Sequence, residues 1–192
     1  MMFSRRTIVR KPNGGRGAVL SRRHEWGRTV EYTTVFGSLD SFRKGTIEVI
    51  DDDPKHYAFS NVFEVAGMSA PYEKVAVGKN QQYVLEAIRA EGTSGWWTCD
   101  HDEAVLCMDG DVTVRLVELA TAVAPAGKDG SIAVNGEPVG VAMGYVRLGR
   151  GHMALLPRGS AYRFEAAGPS VLLQQTCWGD DTIERWAEIC LS

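Results

Sequence analysis

The stretch Gly95-Trp-Trp-Thr-Cys-Asp-His-Asp-Glu103 decides the fold of this chain when it is combined with Gly151-His-Met-Ala-Leu-Leu-Pro-Arg-Gly-Ser-Ala-Tyr162. Each stretch joins a short run of strand-forming residues to a turn that contains aspartate, glycine or proline. Gly110 follows Glu103 after a further run of apolar residues. Many short strands divided by such turns indicate a β-sandwich or a β-barrel, and they disfavour an alternating βαβ fold.

The spacing of these residues resembles the two sequence motifs of the cupins. In metal-binding cupins the first motif supplies two histidines and a glutamate, and the second motif supplies one more histidine. Glu103 keeps its place, but Trp97 and Cys99 stand where the first two histidines belong, and Tyr162 stands where the last one belongs. The resemblance therefore implies an all-β, cupin-type double-stranded β-helix, a jelly-roll barrel, that has lost the usual metal ligands.

The composition fits a single globular domain. The chain has 192 residues, of which 44% are hydrophobic and 23% charged, and this length allows one sizeable core. No apolar run approaches the roughly 18 residues of a membrane span, so we expect no membrane partner. The cysteines show no Cys-x-x-Cys spacing, which predicts reduced thiols in a cytoplasmic protein. They are Cys99, Cys107, Cys177 and Cys190.

Positive charge is concentrated at the start of the chain. Residues 1–28 contain eight basic residues and one acid, Glu25, whereas the remaining residues carry a net charge of −10, with 13 basic and 23 acidic side chains. A basic segment attracts nucleic acid or an acidic protein surface. No helical period or aromatic interleaving supports nucleic-acid recognition. We therefore expect 1–28 to be a flexible or partner-contacting arm, followed by one cupin domain over 29–192.

Local patterns predict strands over most of the remaining chain. The alternation of apolar and polar residues from Tyr57 to Val65 is typical of a half-buried strand. Thr46–Ile50 is rich in β-branched residues and ends at the turn-forming Asp51–Pro54. Tyr83–Arg89 has some helix propensity, yet the cupin pattern places a strand there.

Two Xaa-Gly pairs predict β-hairpins, because Asp-Gly and Asn-Gly favour tight two-residue turns. One is Asp109-Gly110 and the other is Asn135-Gly136, each with strand-like residues on both sides. Between them, Ala120–Gly130 is rich in alanine, glycine and proline, and we interpret it as the loop that joins the two motifs.

The end of the chain has a different pattern, which predicts a short C-terminal helix. Asp181 or Thr182 can cap it. Its apolar face would carry residues at three- and four-residue spacing, namely Ile183, Trp186 and Cys190.

If the first motif were a regular strand throughout, Trp97, Cys99, His101 and Glu103 would lie on one face. Cysteine, histidine and glutamate are all metal ligands. A ferrous oxygenase site, however, normally needs two histidines and a carboxylate, and Trp97 would fill the space of a ligand. We therefore expect no metal in this chain, with His101 and Glu103 as the candidate ligands if there is one. The interpretation we favour for His101, Asp102 and Glu103 is a strand turn held by local hydrogen bonds.

The tandem tryptophans Trp96 and Trp97 must point to opposite faces if they lie on a strand. One ring would then enter the barrel, while the other would be available for a substrate or a partner. Packing of both rings in the core is the alternative. Trp97 is in register with a lost ligand, so we expect it to point toward the barrel mouth.

Three runs resemble the small subunit of two-component hydroquinone 1,2-dioxygenases, over about residues 29–191. They are Trp-Trp-Thr-Cys-Asp-His-Asp-Glu followed by Met-Asp-Gly, the Gly151–Tyr162 stretch, and Glu184-Arg-Trp-Ala-Glu-Ile-Cys-Leu191. This resemblance implies a cupin subunit with no catalytic residue of its own, in the aerobic degradation of phenols. A larger cupin subunit would hold Fe(II) and cleave hydroquinone to 4-hydroxymuconic semialdehyde, in an α2β2 heterotetramer.

In such a complex, Trp97, Trp96 and Tyr162 are the candidate residues of the substrate entrance or of the subunit interface, with the phenolic substrate near the junction. Two other functions stay open. One is a self-sufficient metal cupin, a dioxygenase or an isomerase, and the other is a metal-free cupin that binds a small molecule. The sequence contains no nucleophile elbow, P-loop or dinucleotide-binding fingerprint.

Overall fold

The computed structural model describes residues 8–9, 19–23, 29–33, 38–40, 48–49, 58–59, 61–80 and 82–185. The chain divides into two compact units, Met1–Phe36 and Gly37–Ser192. In the first unit, three short strands pair antiparallel in chain order. They are β1 Ile8–Val9, β2 Val19–Arg23 and β3 Thr29–Thr33. The predicted division into an arm of 28 residues and one cupin domain stays a prediction.

The second unit is a curled sheet of eleven strands in which the strand pairs are antiparallel. Its elements are β4 Glu48–Val49, β5 Ala58–Phe59, α1 Val62–Met68, β6 Lys74–Lys79, β7 Tyr83–Thr93, β8 Trp96–Thr98, β9 Glu103–Asp109, β10 Asp111–Leu119, β11 Ile132–Val134, β12 Gly140–Gly149, β13 Met153–Leu156 and β14 Ser160–Cys177. The predicted all-β, cupin-type jelly-roll barrel is confirmed. No helix in the described part has the length and apolar character needed to cross a membrane.

The longest strand, β14, organises the barrel because it pairs with four others. Its first residues pair with β10 and β8, and its last residues pair with β9, while β7 runs along its other edge. The register shifts between Ala166 and Ser170, and such an irregularity lets a strand bend. The bend allows one strand to serve both parts of the sheet.

The core lies inside this curled sheet. Residues of β9 alternate between buried and partly buried positions, as expected for a strand with one face on a core. Tyr162, Phe164, Leu172 and Ile88 belong to the main buried cluster and are at most 1% exposed. Burial of one such side chain contributes about 1.5–3 kcal/mol, so this cluster dominates the stability of the barrel.

The strand predicted from Tyr57 to Val65 is wrong in its second half. Ala58 and Phe59 form β5, but α1 begins directly afterwards. Asn61 caps this helix, since its Oδ1 accepts hydrogen bonds from the backbone N–H groups of Phe63 at 2.9 Å and Glu64 at 3.1 Å. The Asn61 cap and the acidic Glu64 in the first turn favour the start of a helix here. Their effect outweighs the strand preference of the short run of alternating residues.

Both predicted hairpins are also wrong. β9 and β10 do not pair with each other, but each pairs with a different part of β14. At Asp109-Gly110 the chain therefore bends and continues in the same direction along β14 instead of folding back. Gly110 has a φ of +77°, and a Cβ there would overlap Ser170, so glycine is required for both reasons. Asn135-Gly136 joins β11, which pairs with β8, to β12, which pairs with β10. The chain thus turns at both predicted places, but the two strands that flank each turn do not pair with each other.

Three further segments were predicted as strand, loop and strand with a turn. Tyr83–Arg89 lies in β7 and is a strand, and Ala120–Gly130 contains neither helix nor strand. Within Thr46–Ile50 the strand covers Glu48–Val49, whereas Asp51–Pro54 lies outside the described residues.

The predicted C-terminal helix does not begin at Asp181 or Thr182. The N–H of Thr182 donates to the carbonyl of Gly179 at 3.1 Å, which closes a turn. Ile183 then forms a parallel bridge with Val75, so the chain adds a short extended segment to the sheet. Trp186 and Cys190 lie outside the described residues.

Candidate functional site

The first motif is not one regular strand. The chain leaves β8 after Thr98, bends at Asp100 and His101, and enters β9 at Glu103. Asp100 Oδ2 accepts the N–H of Gly127 at 2.6 Å, and Asp102 Oδ1 accepts the N–H of Arg158 at 2.9 Å. The bend is therefore held by contacts to distant loops, and the motif is not a regular strand. The predicted set of side chains nevertheless faces one interior. His101 Nε2 lies 3.6 Å from Glu103 Oε1, the charge of Glu103 helps to raise the pKa of Cys99, and Trp97 packs against the core cluster that contains Cys99.

Glu103 is the centre of a buried hydrogen-bond network. Its Oε2 accepts from the Tyr162 hydroxyl at 2.6 Å and from Gln174 Nε2 at 3.0 Å. Its Oε1 accepts from the Thr176 hydroxyl at 2.5 Å, and His101 Nε2 lies 2.9 Å from the same hydroxyl. Three protein donors thus satisfy both oxygens of a carboxylate that is only 1% exposed.

Lys74 places a cation in the same interior. Its ammonium donates to Ser131 Oγ at 2.5 Å and to the Tyr162 hydroxyl oxygen at 3.0 Å. It also lies 4.2 Å from the centre of the Trp97 ring, a distance typical of a cation–π contact. Burial lowers the pKa of Lys74, and the nearby carboxylates of Glu103 and Glu86 oppose that shift.

Glu86 is a buried carboxyl without a hydrogen-bond partner for its Oε2 in the described part of the chain. Burial raises its pKa from 4.5 to about 7, and the charge of Lys74 acts in the opposite direction. The two side chains influence each other electrostatically, yet the described ion pairs include none between them. A buried cation and a buried acid therefore lie near each other without a direct ion pair in the described part of the chain.

Lys74 and Glu86 line one cavity of about 310 Å³. Its inner wall combines the two charged groups with aromatic and aliphatic side chains, including Tyr72, Lys74, Glu86, Trp97, Ser131 and Ile132. Glu73, Asp129 and Asp181 add acidic groups to the lining. The cavity is large enough for one substituted aromatic ring, since a cavity of ~150 Å³ binds benzene.

These side chains do not fit a metal ion. Trp97 offers no ligand atom at one of the histidine positions, and the Tyr162 hydroxyl at another donates to Glu103. Both oxygens of Glu103 are engaged by protein donors. Burial raises the pKa of the Cys99 thiol, whose Sγ lies 2.9 Å from the carbonyl oxygen of His101. Among the described residues, no three His, Cys, Asp or Glu side chains come close enough to hold a metal.

The three aromatic candidates lie in different surroundings. Tyr162 is fully buried and hydrogen-bonded inside the barrel. Trp97 is partly buried against the main core and lines the cavity. Trp96 is buried elsewhere, with its indole N–H donating to Glu137 at 3.0 Å and its ring 4.6 Å from the Arg163 guanidinium. The two tryptophans thus have different environments, as strand alternation requires, and their functional roles stay predictions.

The predictions missed Lys74, Glu86, Gln174 and Thr176, which complete the network. All four belong to strands outside the two motif segments, β6, β7 and the end of β14. A weak signal existed in β6 and β7, where Lys74 begins the apolar run 75–77 and Glu86 lies between Leu85 and Ala87. Charged residues in such runs are almost never fully buried unless they are paired.

A second feature lies on the outside of the barrel. Among the strands that the structure describes, β12 pairs with β10 alone, and nearly all of its residues are exposed. Val141, Met143 and Tyr145 are between 49% and 68% exposed on this strand, and Leu155 of β13 is 58% exposed. Val141 is paired with Glu118 and Tyr145 with Arg115, three residues apart on β10, so these side chains project from both sides of the edge strand. We call this whole exposed edge of the barrel, with Leu155, the outer apolar face. Exposed apolar side chains beside an open strand edge are typical of a protein-binding surface.

Comparison with solved structures identifies close relatives. The chain is 55% identical to a chain of hydroquinone 1,2-dioxygenase PnpCD, solved in complex with Cd²⁺ and 4-hydroxybenzonitrile; the match covers 83% of this chain and 96% of that one, with a TM-score of 0.73. It is 52% identical to a chain of hydroquinone 1,2-dioxygenase from Sphingomonas sp. TTNP3 with 4-hydroxybenzoate bound, covering 82% and 96%, again with a TM-score of 0.73. No protein-family model matches the chain, and no curated protein does.

Proposed function

Because this chain belongs to the hydroquinone 1,2-dioxygenase family, we propose that it is the small subunit of such an enzyme and has no catalytic residue of its own. It supports the cleavage of hydroquinone by dioxygen to 4-hydroxymuconic semialdehyde. Fe(II) in a larger cupin subunit supplies the ring-cleaving chemistry. Two copies of each subunit form a heterotetramer.

The observation that carries this proposal is the content of the barrel. Lys74, Glu103 and Tyr162 fill the region that a metal and its histidines occupy in other cupins, and they are linked by hydrogen bonds of 2.6 to 3.0 Å. A cation fixed to the chain takes the electrostatic role of the metal, because it offsets the buried carboxylates. This arrangement supports a stable barrel without any bound iron, and it disfavours a self-sufficient metal cupin.

The outer apolar face supports the presence of a partner subunit. Its exposed side chains gain free energy when another chain covers them, and a larger cupin subunit can add to the open edge of β12. The basic residues of 1–28 provide a second attachment for an acidic surface. Trp97, at the cavity, lies near the junction and lines the path of the phenolic substrate.

Copurification from the native host tests the assignment. A pull-down of this chain, followed by mass spectrometry, is expected to recover a larger cupin chain in equal amount, and ring cleavage of hydroquinone is expected with both chains present. The chain purified alone and treated with ferrous iron should bind well below one equivalent of iron. Stoichiometric iron that disappears in the double variant His101→Ala, Glu103→Ala, or strong activity of the chain alone, would contradict the proposal.

A further inference from the structure

Strand β6 begins and ends with a buried lysine, and each of the two lysines lies against a tryptophan ring. Lys74 is 8% exposed and Lys79 is 7% exposed. The Lys74 ammonium lies 4.2 Å from the centre of the Trp97 ring. The Lys79 ammonium lies 5.7 Å from the centre of the Trp178 ring, and it also pairs with Glu184 at 2.6 Å. Both lysines are thus within the roughly 6 Å of a cation–π contact, which is stronger where water is excluded.

The ammonium of Lys74 is held in place by hydrogen bonds from other strands and loops. It donates to Ser131 Oγ at 2.5 Å and to the Tyr162 hydroxyl oxygen at 3.0 Å. The Tyr162 hydroxyl in turn donates to Glu103 at 2.6 Å, and the members of such a chain strengthen one another. An ammonium has three N–H donors, and the face of the Trp97 ring can accept the third. The position of Nζ is therefore fixed independently of the indole.

The Trp97 ring, by contrast, is not confined by packing alone. It packs against the main core cluster, but it also lines the cavity of about 310 Å³. Its partner across the ladder between β8 and β11 is Ala133, which fills little space beside an indole. A side chain next to open space can adopt more than one rotamer unless a specific contact selects one. The fixed ammonium of Lys74 is a contact of that kind.

We propose that Lys74 is a positioning residue that acts through Trp97, because its ammonium holds the indole ring in the orientation in which the ring lines the cavity. Its consequence for turnover rests on the function proposed above, in which Trp97 borders the substrate path. The orientation of the ring, however, is a property of this chain alone. The contact and its consequence for turnover can therefore be measured separately.

NMR of the full chain, purified without a partner, tests the contact. The indole signals are identified through Trp97→Phe and Trp178→Phe. Lys74→Met keeps most of the side chain but removes the charge, so the Trp97 ring should sample more than one rotamer and lose part of its Overhauser contacts with the core. Lys79→Met, in the same strand, is the matched control and should disturb Trp178 while leaving Trp97 unchanged. Unaltered contacts of the Trp97 ring in Lys74→Met, or equal changes in both lysine variants, would overturn the proposal.

A measurement on the parent chain covers the case in which Lys74→Met does not fold. If the ammonium lies over the indole face, the Cε protons of Lys74 should show Overhauser contacts to the Trp97 ring, and the ring current should move them upfield. The Cε protons of Lys79, which lies farther from the centre of the Trp178 ring, are the internal reference and should move less. Ordinary lysine shifts and no ring contacts for Lys74 would exclude the positioning role.

A double-mutant cycle in the assembled enzyme tests the consequence for turnover. Lys74→Met should lower kcat/KM for hydroquinone by about three- to tenfold, with assembly and iron content unchanged. In the Trp97→Ala background the same substitution should have less than about a twofold effect, because a residue that acts through Trp97 then has nothing to position. Equal factors in both backgrounds would show that Lys74 does not act through Trp97.

The outcomes separate this role of Lys74 from the proposed function. Missing contacts between Lys74 and the Trp97 ring would refute the positioning role and leave the dioxygenase role standing. If no larger subunit copurifies, or if hydroquinone is not cleaved, the dioxygenase role fails, and the NMR contacts in the chain alone still decide whether Lys74 positions the ring.

Discussion

The barrel interior around Glu103 and the outer apolar face both depart from the usual distribution of residues. The interior buries charged groups, and the outer face exposes apolar ones. The interior buries an ammonium, two carboxyls and a tyrosine hydroxyl, although burial of charge is unfavourable unless it is paired. The outer face exposes Val141 and Leu155, 68% and 58% accessible, although apolar groups favour burial. Each region therefore needs an explanation beyond ordinary globular packing.

The difference lies in where the compensation comes from. Around Glu103 it comes from the chain itself, since Tyr162, Gln174 and Thr176 satisfy the carboxylate. On the outer face nothing in the described part of the chain covers the apolar side chains, and under the proposed function we expect a partner subunit to cover them. Substitutions in the interior should consequently change folding stability, and substitutions on the outer face should change assembly.

The largest effect is expected for Glu103→Ala. Removing this carboxylate leaves three buried donors unsatisfied and an ammonium with less compensation, so the free energy of unfolding should fall by about 3–5 kcal/mol. Urea denaturation of the full chain at neutral pH measures it. Glu91→Ala is the matched control, because Glu91 is partly exposed and pairs with Arg89, and a loss below about 1 kcal/mol is expected there. Similar losses in both variants would show that the hydrogen-bond network of Glu103 contributes no more to the unfolding free energy than a surface ion pair does.

Glu86→Gln should change how stability depends on pH. The folded pKa of Glu86 is about 7, above the ordinary 4.5, so the folded chain retains a proton that the unfolded chain loses between these values. Stability therefore falls as pH rises through this window, by roughly 3 kcal/mol for this group. The variant should not show that decrease, so its unfolding free energy should rise relative to that of the parent between pH 4 and pH 8. Glu118→Gln provides the reference curve of unfolding free energy against pH. If the curves of the parent and of Glu86→Gln run parallel, folding does not raise the pKa of Glu86.

Val141→Lys should separate assembly from folding. The position is exposed on the edge strand, so the unfolding free energy of the chain alone should change by no more than about 0.5 kcal/mol. Binding to the larger subunit should weaken by about 1–2 kcal/mol, because a lysine opposes burial of the face. Titration calorimetry with the larger subunit measures it, and Thr121→Lys in the adjoining loop is the control. Unaltered binding would remove the outer apolar face from the interface.

The smallest effect is expected for Trp97→Ala, which tests the link between the cavity and turnover. Ring–ring contacts contribute about 0.5–1.5 kcal/mol beyond area burial, so kcat/KM for hydroquinone in the assembled enzyme should fall by up to about tenfold, with assembly and iron content unchanged. Trp96→Ala is the comparison, because Trp96 contacts Arg163 and Glu137 instead. If both variants assemble and turn over hydroquinone like the parent, Trp97 has no role at the substrate entrance. If neither folds, both rings are core residues.

Much of the barrel could be predicted because its turns contain residues with restricted conformations. The spacing from Glu103 to Gly110 and from Gly151 to Gly159 identified both motifs, and the replacements at Trp97, Cys99 and Tyr162 indicated a changed interior. Local signals could not give the strand pairing, so Asp109-Gly110 suggested a hairpin where the structure has a corner.

The partners of Glu103 could not be predicted for a related reason. Gln174 and Thr176 are more than 70 residues away in sequence, and Lys74 comes from a third strand. Their meeting depends on the topology of the sheet and not on any local pattern. The helix α1 is different, since its cap at Asn61 is a local signal that the apparent alternation concealed.

The position of β14 has a consequence for synthesis of the protein on the ribosome. This strand, Ser160–Cys177, pairs with β7, β8, β9 and β10, and its partners begin as early as Tyr83. A nascent chain that has emerged only as far as β13 therefore exposes unpaired strand edges and an unfilled core, which favours aggregation. Pairing over such sequence distances is slow, so the barrel closes late, after most of the chain has been made. Binding of any partner that requires the closed barrel must follow that step, so we expect assembly to wait until the last long strand is in place.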